Sequence, residues 1–182
     1  MKKEIVNLRE KIKKLADGYR NGSIDNSSCG SYIYDVILAA VEVYKNTDIK
    51  LYVPVDNGER MAYKESDNYY IPLFTCHESC SSEVNDYEEV TLMEMCTYAY
   101  DNQVNYDLLS NPDHCLDHGI SYPELMEYAQ KNPKYEGIVL DPKTEYPFGF
   151  EGWLLQALMF KGMGAVKYSA INAETGEVSH EF

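Results

Sequence analysis

Apolar residues recur along this chain with two different periods, and the change from one to the other marks out the elements. Ile5, Leu8, Ile12 and Leu15 follow heptad-like spacing among lysines and glutamates, with Gly18 just beyond. That pattern predicts an amphipathic helix over residues 1–17. The stripe is narrow and two heptads long, which suits packing on the domain or on a partner helix. Residues 18–30 (GYRNGSIDNSSCG) concentrate glycine, asparagine and serine and predict a loop. Ile33, Ile37, Ala40, Val41 and Tyr44 then return at helical spacing, predicting a second helix that stops near Asn46.

From Ile49 the period drops to two. Ile49, Leu51, Val53 and Val55 share one face and Lys50, Tyr52 and Pro54 the other, while Tyr69 to Thr75 is largely apolar on both faces, as expected of a strand covered on both sides. Pro54 and Pro72 lack a backbone donor, which places each strand near a sheet edge. Asp56-Asn57-Gly58 tolerates positive φ, but the connection through Met61 and Tyr63 is too long for a two-residue turn, and the expected arrangement is an antiparallel meander. Thr75-Cys76-His77-Glu78 has the spacing of a capping box and predicts a short helix from Cys76 to Glu83.

Farther on, residues 85–89 read as an acidic loop and Val90 to Met95 as a strand, while Cys96 to Asn111 matches neither period. Ser121-Tyr122-Pro123-Glu124 predicts a helix over 122–131 with Leu125, Met126 and Ala129 inward. Gly137 to Leu140 is a short strand closed by Asp141-Pro142. The segment from Gly149 opens a helix whose Phe150, Trp153, Leu154, Ala157 and Leu158 share one face, and Gly162 and Gly164 end it. Residues 165–172 and 177–182 flank Ala173-Glu174-Thr175-Gly176 and predict a hairpin.

Three of these stretches carry a resemblance. Leu51-Tyr52-Val53-Pro54-Val55, then Tyr70-Ile71-Pro72-Leu73-Phe74-Thr75 before an acidic helix start, and later Gly137-Ile138-Val139-Leu140-Asp141-Pro142, resemble the N-terminal domain of the SseB family. The likeness runs from Ile49 to Leu158. The family-like pattern has asparagine where this chain has Asp141. The resemblance implies a small cytoplasmic bacterial α/β module, found in proteins linked to secretion or toxin neutralisation, with no catalytic residues to carry over. On this reading residues 1–48 are an N-terminal helical addition packed on a main SseB-like domain of residues 49–182.

Composition narrows the partners. With 182 residues, 45% of them hydrophobic, the chain can build one core without staples. A formal charge of −14 disfavours nucleic acid and anionic membrane as partners. No run reaches the roughly 18 apolar residues of a membrane span, and Met1-Lys2-Lys3-Glu4 does not open a signal peptide, so a cytoplasmic location is expected. Cys29, Cys76, Cys80, Cys96 and Cys115 are odd in number, which suits reduced thiols. The 17 tyrosines suit protein contacts and half-buried sheet positions alike.

Candidate chemistry is sparse. Cys76 and Cys80 lie four apart with His77 adjacent, at a predicted helix start where amides lower a thiol pKa; the competing reading is inert cysteines acting as small apolar residues. His114, Cys115 and His118 cluster within five residues and could complete a zinc site with Cys76 and Cys80, yet there is no Cys-x-x-Cys knuckle. The pairs Glu88 with Glu89 and Glu124 with Glu127 read as surface or capping groups. Gly162-Met163-Gly164 lacks the lysine and the strand-before-helix order of a phosphate loop, and Trp153 sits on an apolar helix face. The expectation is therefore an α+β protein, a mixed, mainly antiparallel sheet with helices packed largely on one side. It acts as a non-enzymatic binding module for a basic protein, with no catalytic, metal or cofactor residues assigned and the oligomeric state left open. The alternative is a thiol- or zinc-dependent enzyme using Cys76, Cys80, His114 and His118.

Overall fold

Helix α1 (Lys3–Arg20) buries Ile5, Leu8, Ile12 and Leu15, the stripe that its spacing requires. It runs past Gly18 instead of ending there. Gly18 is buried against Ile24, and a Cβ at that position would collide with the Ile24 side chain, so this glycine permits close approach and does not terminate the helix. Asp25 accepts hydrogen bonds from the amides and hydroxyls of Ser27 and Ser28 and shapes the entry to helix α2 (Cys29–Lys45). The computed structural model describes residues 1–66, 68–79, 86–102, 135–164, 169–171 and 178–181.

Strands β1 (Leu51–Asp56), β2 (Glu59–Arg60) and β5 (Asp86–Val90) form an antiparallel sheet in the order β2-β1-β5. Strands β3 (Tyr63–Glu65), β4 (Asn68–Leu73), β6 (Gly137–Leu140) and β7 (Phe148–Glu151) form a mixed sheet in the order β3-β4-β6-β7, with β4 and β6 parallel. Helix α3 (Leu92–Asp101) and helix α4 (Trp153–Gly162) follow β5 and β7. A ribbon of β8 (Ser169–Ile171) and β9 (Val178–Glu181) pairs antiparallel, as the hairpin pattern predicts. The architecture is α+β.

The two proline-bearing strands do lie side by side, but they pair at a single point. Tyr52 and Phe74 exchange two backbone hydrogen bonds of 2.9 Å in an antiparallel bridge. Continuing that register by two residues sets Pro54 opposite Pro72, where the next exchange of two bonds belongs. Neither residue has an N–H to give. The ladder therefore stops, and each strand takes another neighbour on that edge: the Pro54 carbonyl accepts from the Met61 amide at 2.9 Å, Val55 pairs with Arg60, and Tyr70 pairs with Tyr63. The meander expected from the sequence is thus split into two sheets. Asn57 (φ 52°) and Gly58 (φ 83°) form a two-residue turn between β1 and β2, so the long connection to β4 contains a tight hairpin of its own.

Three further expectations are corrected. Residues 86–89 of the expected 85–89 loop are instead part of β5, in register with β1 from Leu51 opposite Val90 to Val55 opposite Asp86. Of Val90 to Met95 only Val90 is strand, as the last residue of β5, because Thr91 and Glu94 form a reciprocal capping box that starts α3. Phe150 belongs to β7 and not to the last helix. It pairs with Ile138, and Gly152 (φ 51°) caps α4 after it. The predicted helix over 122–131 and the turn at 173–176 lie outside the described residues.

One apolar cluster joins all these layers, including Leu8 and Ile37 from the first two helices, Leu51, Ile71, Ile138 and Phe150 from the sheets, and Met95 and Leu155 from α3 and α4. Trp153 is half-buried at its margin. On the inner side of the first sheet Arg60 forms a bidentate pair with Glu88, both bonds 2.7 Å, and lies 4.7 Å from the centre of the Tyr98 ring. The hydrogen bonds from Arg60 hold the Glu88 carboxyl below its ordinary range.

Two outcomes follow from this packing. A Cβ on Gly137 would strike the Phe150 carbonyl oxygen across the β6–β7 ladder, so Gly137→Ala lowers stability by about 1–3 kcal/mol in urea unfolding. A lowered Glu88 pKa contributes stability that is complete above the unfolded carboxylate value near ~4.3 and is lost as pH falls through the folded value. Arg60→Gln therefore costs less than about 1 kcal/mol at neutral pH, the pair being partly solvated, and its deficit narrows in unfolding measured at progressively acid pH.

Candidate functional site

The parallel pairing of β4 with β6 brings two chain ends together. Thr75, just past β4, and Asp141, just past β6, are both buried, and α1 crosses beside them. Asp141 Oδ1 accepts from the Thr75 amide at 2.8 Å and Oδ2 from the Thr75 hydroxyl at 2.6 Å. Arg9 of α1 approaches the same carboxylate, its Nε 3.7 Å from Oδ2. The Thr75 hydroxyl is thus engaged with Asp141, and the chain beyond it makes only a 3-10 turn over His77–Ser79 in place of the start of the predicted helix. Asp141 sits at φ 46°, a left-handed conformation that aspartate tolerates better than most residues. Thr144 donates its hydroxyl to the Asp141 carbonyl at 2.7 Å and fixes the following turn.

Two hollows flank this junction and share Met1, Arg9 and Thr75. One, of about 380 Å³, lies between α1 and residues 140–146. The other, of about 700 Å³, opens over the start of β1 and includes Asp48, Lys50, Tyr52, His77 and Glu89. Seven of the sixteen Lys and Arg residues fall in the first twenty positions, against three acidic ones, so α1 brings a basic wall to an otherwise acidic protein.

The outward face of β1 and β5 follows from strand alternation. Leu51, Val53 and Val90 point into the core; Tyr52, Pro54, Tyr87 and Glu89 share the opposite face. There the His77 ring stands 4.5 Å from the centre of Tyr52 and 5.2 Å from that of Tyr87. Aromatic edges and faces lie here with Glu89 on the same face and Lys50 at the start of the strand, so the surface is apolar with charged groups at its margin.

Of the candidates read from sequence, Cys76 and His77 line the larger hollow. Cys76 is half-buried with its sulfur 2.9 Å from the Ser79 hydroxyl. Cys80, His114, Cys115 and His118 lie outside the described residues, as do Glu124 and Glu127. Among the described residues no group of three His, Cys, Asp or Glu side chains is placed to hold a metal ion. Cys96 is buried in the core, and burial pushes its thiol pKa up, leaving it an inert apolar residue. Glu88 is tied to Arg60, whereas Glu89 faces outward. The residues missed from sequence are Arg9 and Asp141. Asp141-Pro142 is legible as a strand end, but its contact with a helix 132 positions earlier has no local signal.

Comparison of the chain with family models, with curated proteins and with solved structures gives no match. Among the described residues no helix is long and apolar enough to cross a membrane.

Removing the Asp141 carboxylate leaves a buried amide and a buried hydroxyl of Thr75 without acceptors. Asp141→Ala is expected to cost about 2–4 kcal/mol in denaturant unfolding. Asp141→Asn keeps one carbonyl acceptor and suits the left-handed backbone, so it loses about 1 kcal/mol. Equal losses for the two variants would show that the Thr75 contacts do not organise the junction.

Proposed function

We propose that this chain is a non-enzymatic protein-binding module of SseB-like character, acting in the bacterial cytoplasm and engaging a basic protein through an acidic, tyrosine-bearing face, as an immunity-type or chaperone-type factor does. The observation that carries the reading is the outward face of β1 and β5, where Tyr52, His77 and Tyr87 pack in tilted and edge-on contact beside Glu89. Tyrosine supplies a large rigid contact with a polar tip, and such residues dominate the energetics of protein interfaces. The net charge of −14 supplies long-range attraction for a basic partner and repels nucleic acid. A module linked to secretion or toxin neutralisation works by such complementarity, without chemistry at its surface.

The test is capture of the partner from the source cell's own lysate, followed by binding measurements with the purified pair. Tyr52→Ala and Tyr87→Ala each weaken binding by about tenfold or more, and raising the salt concentration weakens it further through a slower on-rate. An affinity indifferent to both the tyrosines and ionic strength would remove this reading.

A further inference from the structure

The smaller hollow, between α1 and residues 140–146, is a built crevice at the carboxyl ends of two parallel strands, the place where α/β sheets commonly receive ligands. Leu140, Asp141, Leu8 and Ile12 back the crevice and are themselves buried, while its lining also includes the more exposed Met1, Val6 and Tyr146. The Tyr146 side is clamped in place. Lys13 and Arg20 lie 5.1 and 4.9 Å from the centre of the Tyr146 ring, and Arg20 also donates to the Glu145 carbonyl at 2.7 Å. At about 380 Å³ the space lies within the ordinary range of small-molecule sites.

Glu10, Lys13 and Glu145 also line this crevice, and within it Arg9 and Asp141 meet without a direct hydrogen bond. The Arg9 Nε is 3.7 Å from Asp141 Oδ2, and the other described contact of the guanidinium is with the Met1 sulfur at 3.8 Å. Asp141 gives one acceptor site on each oxygen to Thr75 and retains a second on each. Its side chain is only 6% exposed, so its charge is felt at short range and little screened. A simple carboxylate drawn to Arg9 meets repulsion from Asp141, and a simple amine drawn to Asp141 meets repulsion from Arg9. A molecule with a carboxylate and an ammonium on one carbon matches both, each group facing its opposite.

We propose that this crevice binds a small zwitterion, an α-amino acid with an aliphatic side chain, its carboxylate on the Arg9 guanidinium, its ammonium toward Asp141 and its side chain toward Val6 and Tyr146 of the lining. The left-handed backbone of Asp141 is the conformation that presents the carboxylate here, held by Thr75 and Thr144. The crevice shares Met1, Arg9 and Thr75 with the hollow beside the aromatic face, but none of Tyr52, His77, Tyr87 and Glu89 lines it.

Calorimetric titration of the full chain with L-leucine, with isocaproate and with isoamylamine decides the matter, since the last two lack only the ammonium or only the carboxylate. Leucine is expected to bind saturably and at least about tenfold tighter than either fragment. Arg9→Gln, at a side chain that is 40% exposed, is expected to fold normally in a melting scan, to lose about tenfold or more in leucine affinity and to leave isoamylamine unweakened. No binding of leucine up to its solubility limit, or a fragment binding as tightly as leucine, overturns the proposal. Because that comparison uses the unaltered chain, it holds even if the variant unfolds; a folded Arg9→Gln chain that binds leucine like its parent overturns the proposal as well.

Discussion

When two antiparallel strands exchange hydrogen bonds at one residue pair, the next exchange comes two residues along, and in this protein that position is occupied by proline on both sides. Pro54 and Pro72 face each other one step beyond the Tyr52–Phe74 bridge, and neither has a donor. A single proline at a strand edge forfeits one bond; two placed opposite forfeit both and leave the ladder nothing to propagate. β1 therefore closes on itself through the Asn57-Gly58 turn and β2, and β4 takes β3 on that edge and β6 on the other. The sheet of an ordinary meander becomes two sheets that share one point.

That split determines what happens at the ends of the strands. With β6 parallel to β4, Asp141 and Thr75 emerge side by side, and a carboxylate buried between them finds two donors from one residue. The arrangement is self-reinforcing: the left-handed turn at Asp141 aims the carboxylate at Thr75, and the Thr75 bonds and the Thr144 hydroxyl stabilise the turn. Helix α1, whose apolar stripe seats it in the common core, then lays Arg9 beside that carboxylate and its basic residues along the crevice. The charge of α1 is opposite to that of the chain as a whole, so basic side chains are brought to a junction within an acidic protein.

The outer face of the first sheet answers to different physics. Alternation along β1 and β5 sends aliphatic side chains inward and Tyr52, Tyr87 and Glu89 outward. His77 reaches this face because the chain makes one 3-10 turn after Thr75, with the Thr75 hydroxyl engaged by Asp141. One buried carboxylate thus bears on both the crevice and the composition of the aromatic face.

Much of the plan was legible locally. The stripe of α1, the alternation of β1 and the apolar run of β4 follow from side-chain period, because burial of one face acts on each element separately, and the pairing of the last two strands follows from the turn residues between them. The start of α3 was also written in the chain, as Thr91 and Glu94, but Val90 to Met95 alternates well enough to mimic a strand when the cap is overlooked. The acidic β5 has no apolar face of its own to announce it, and its Glu88 is accommodated only because Arg60 reaches it from across β1. Gly18 and Phe150 were misread for the same reason: a tertiary neighbour outside the local period, Ile24 six residues on or Ile138 on the paired strand, decides what the backbone does there. By itself the sequence determined which apolar stripes are buried in α1 and β1 and where backbone donors are missing, since both are read from local side-chain pattern. Only the tertiary structure decided that the two prolines oppose each other and that Arg9, Thr75 and Asp141 meet, because register and long-range proximity depend on how the whole chain closes.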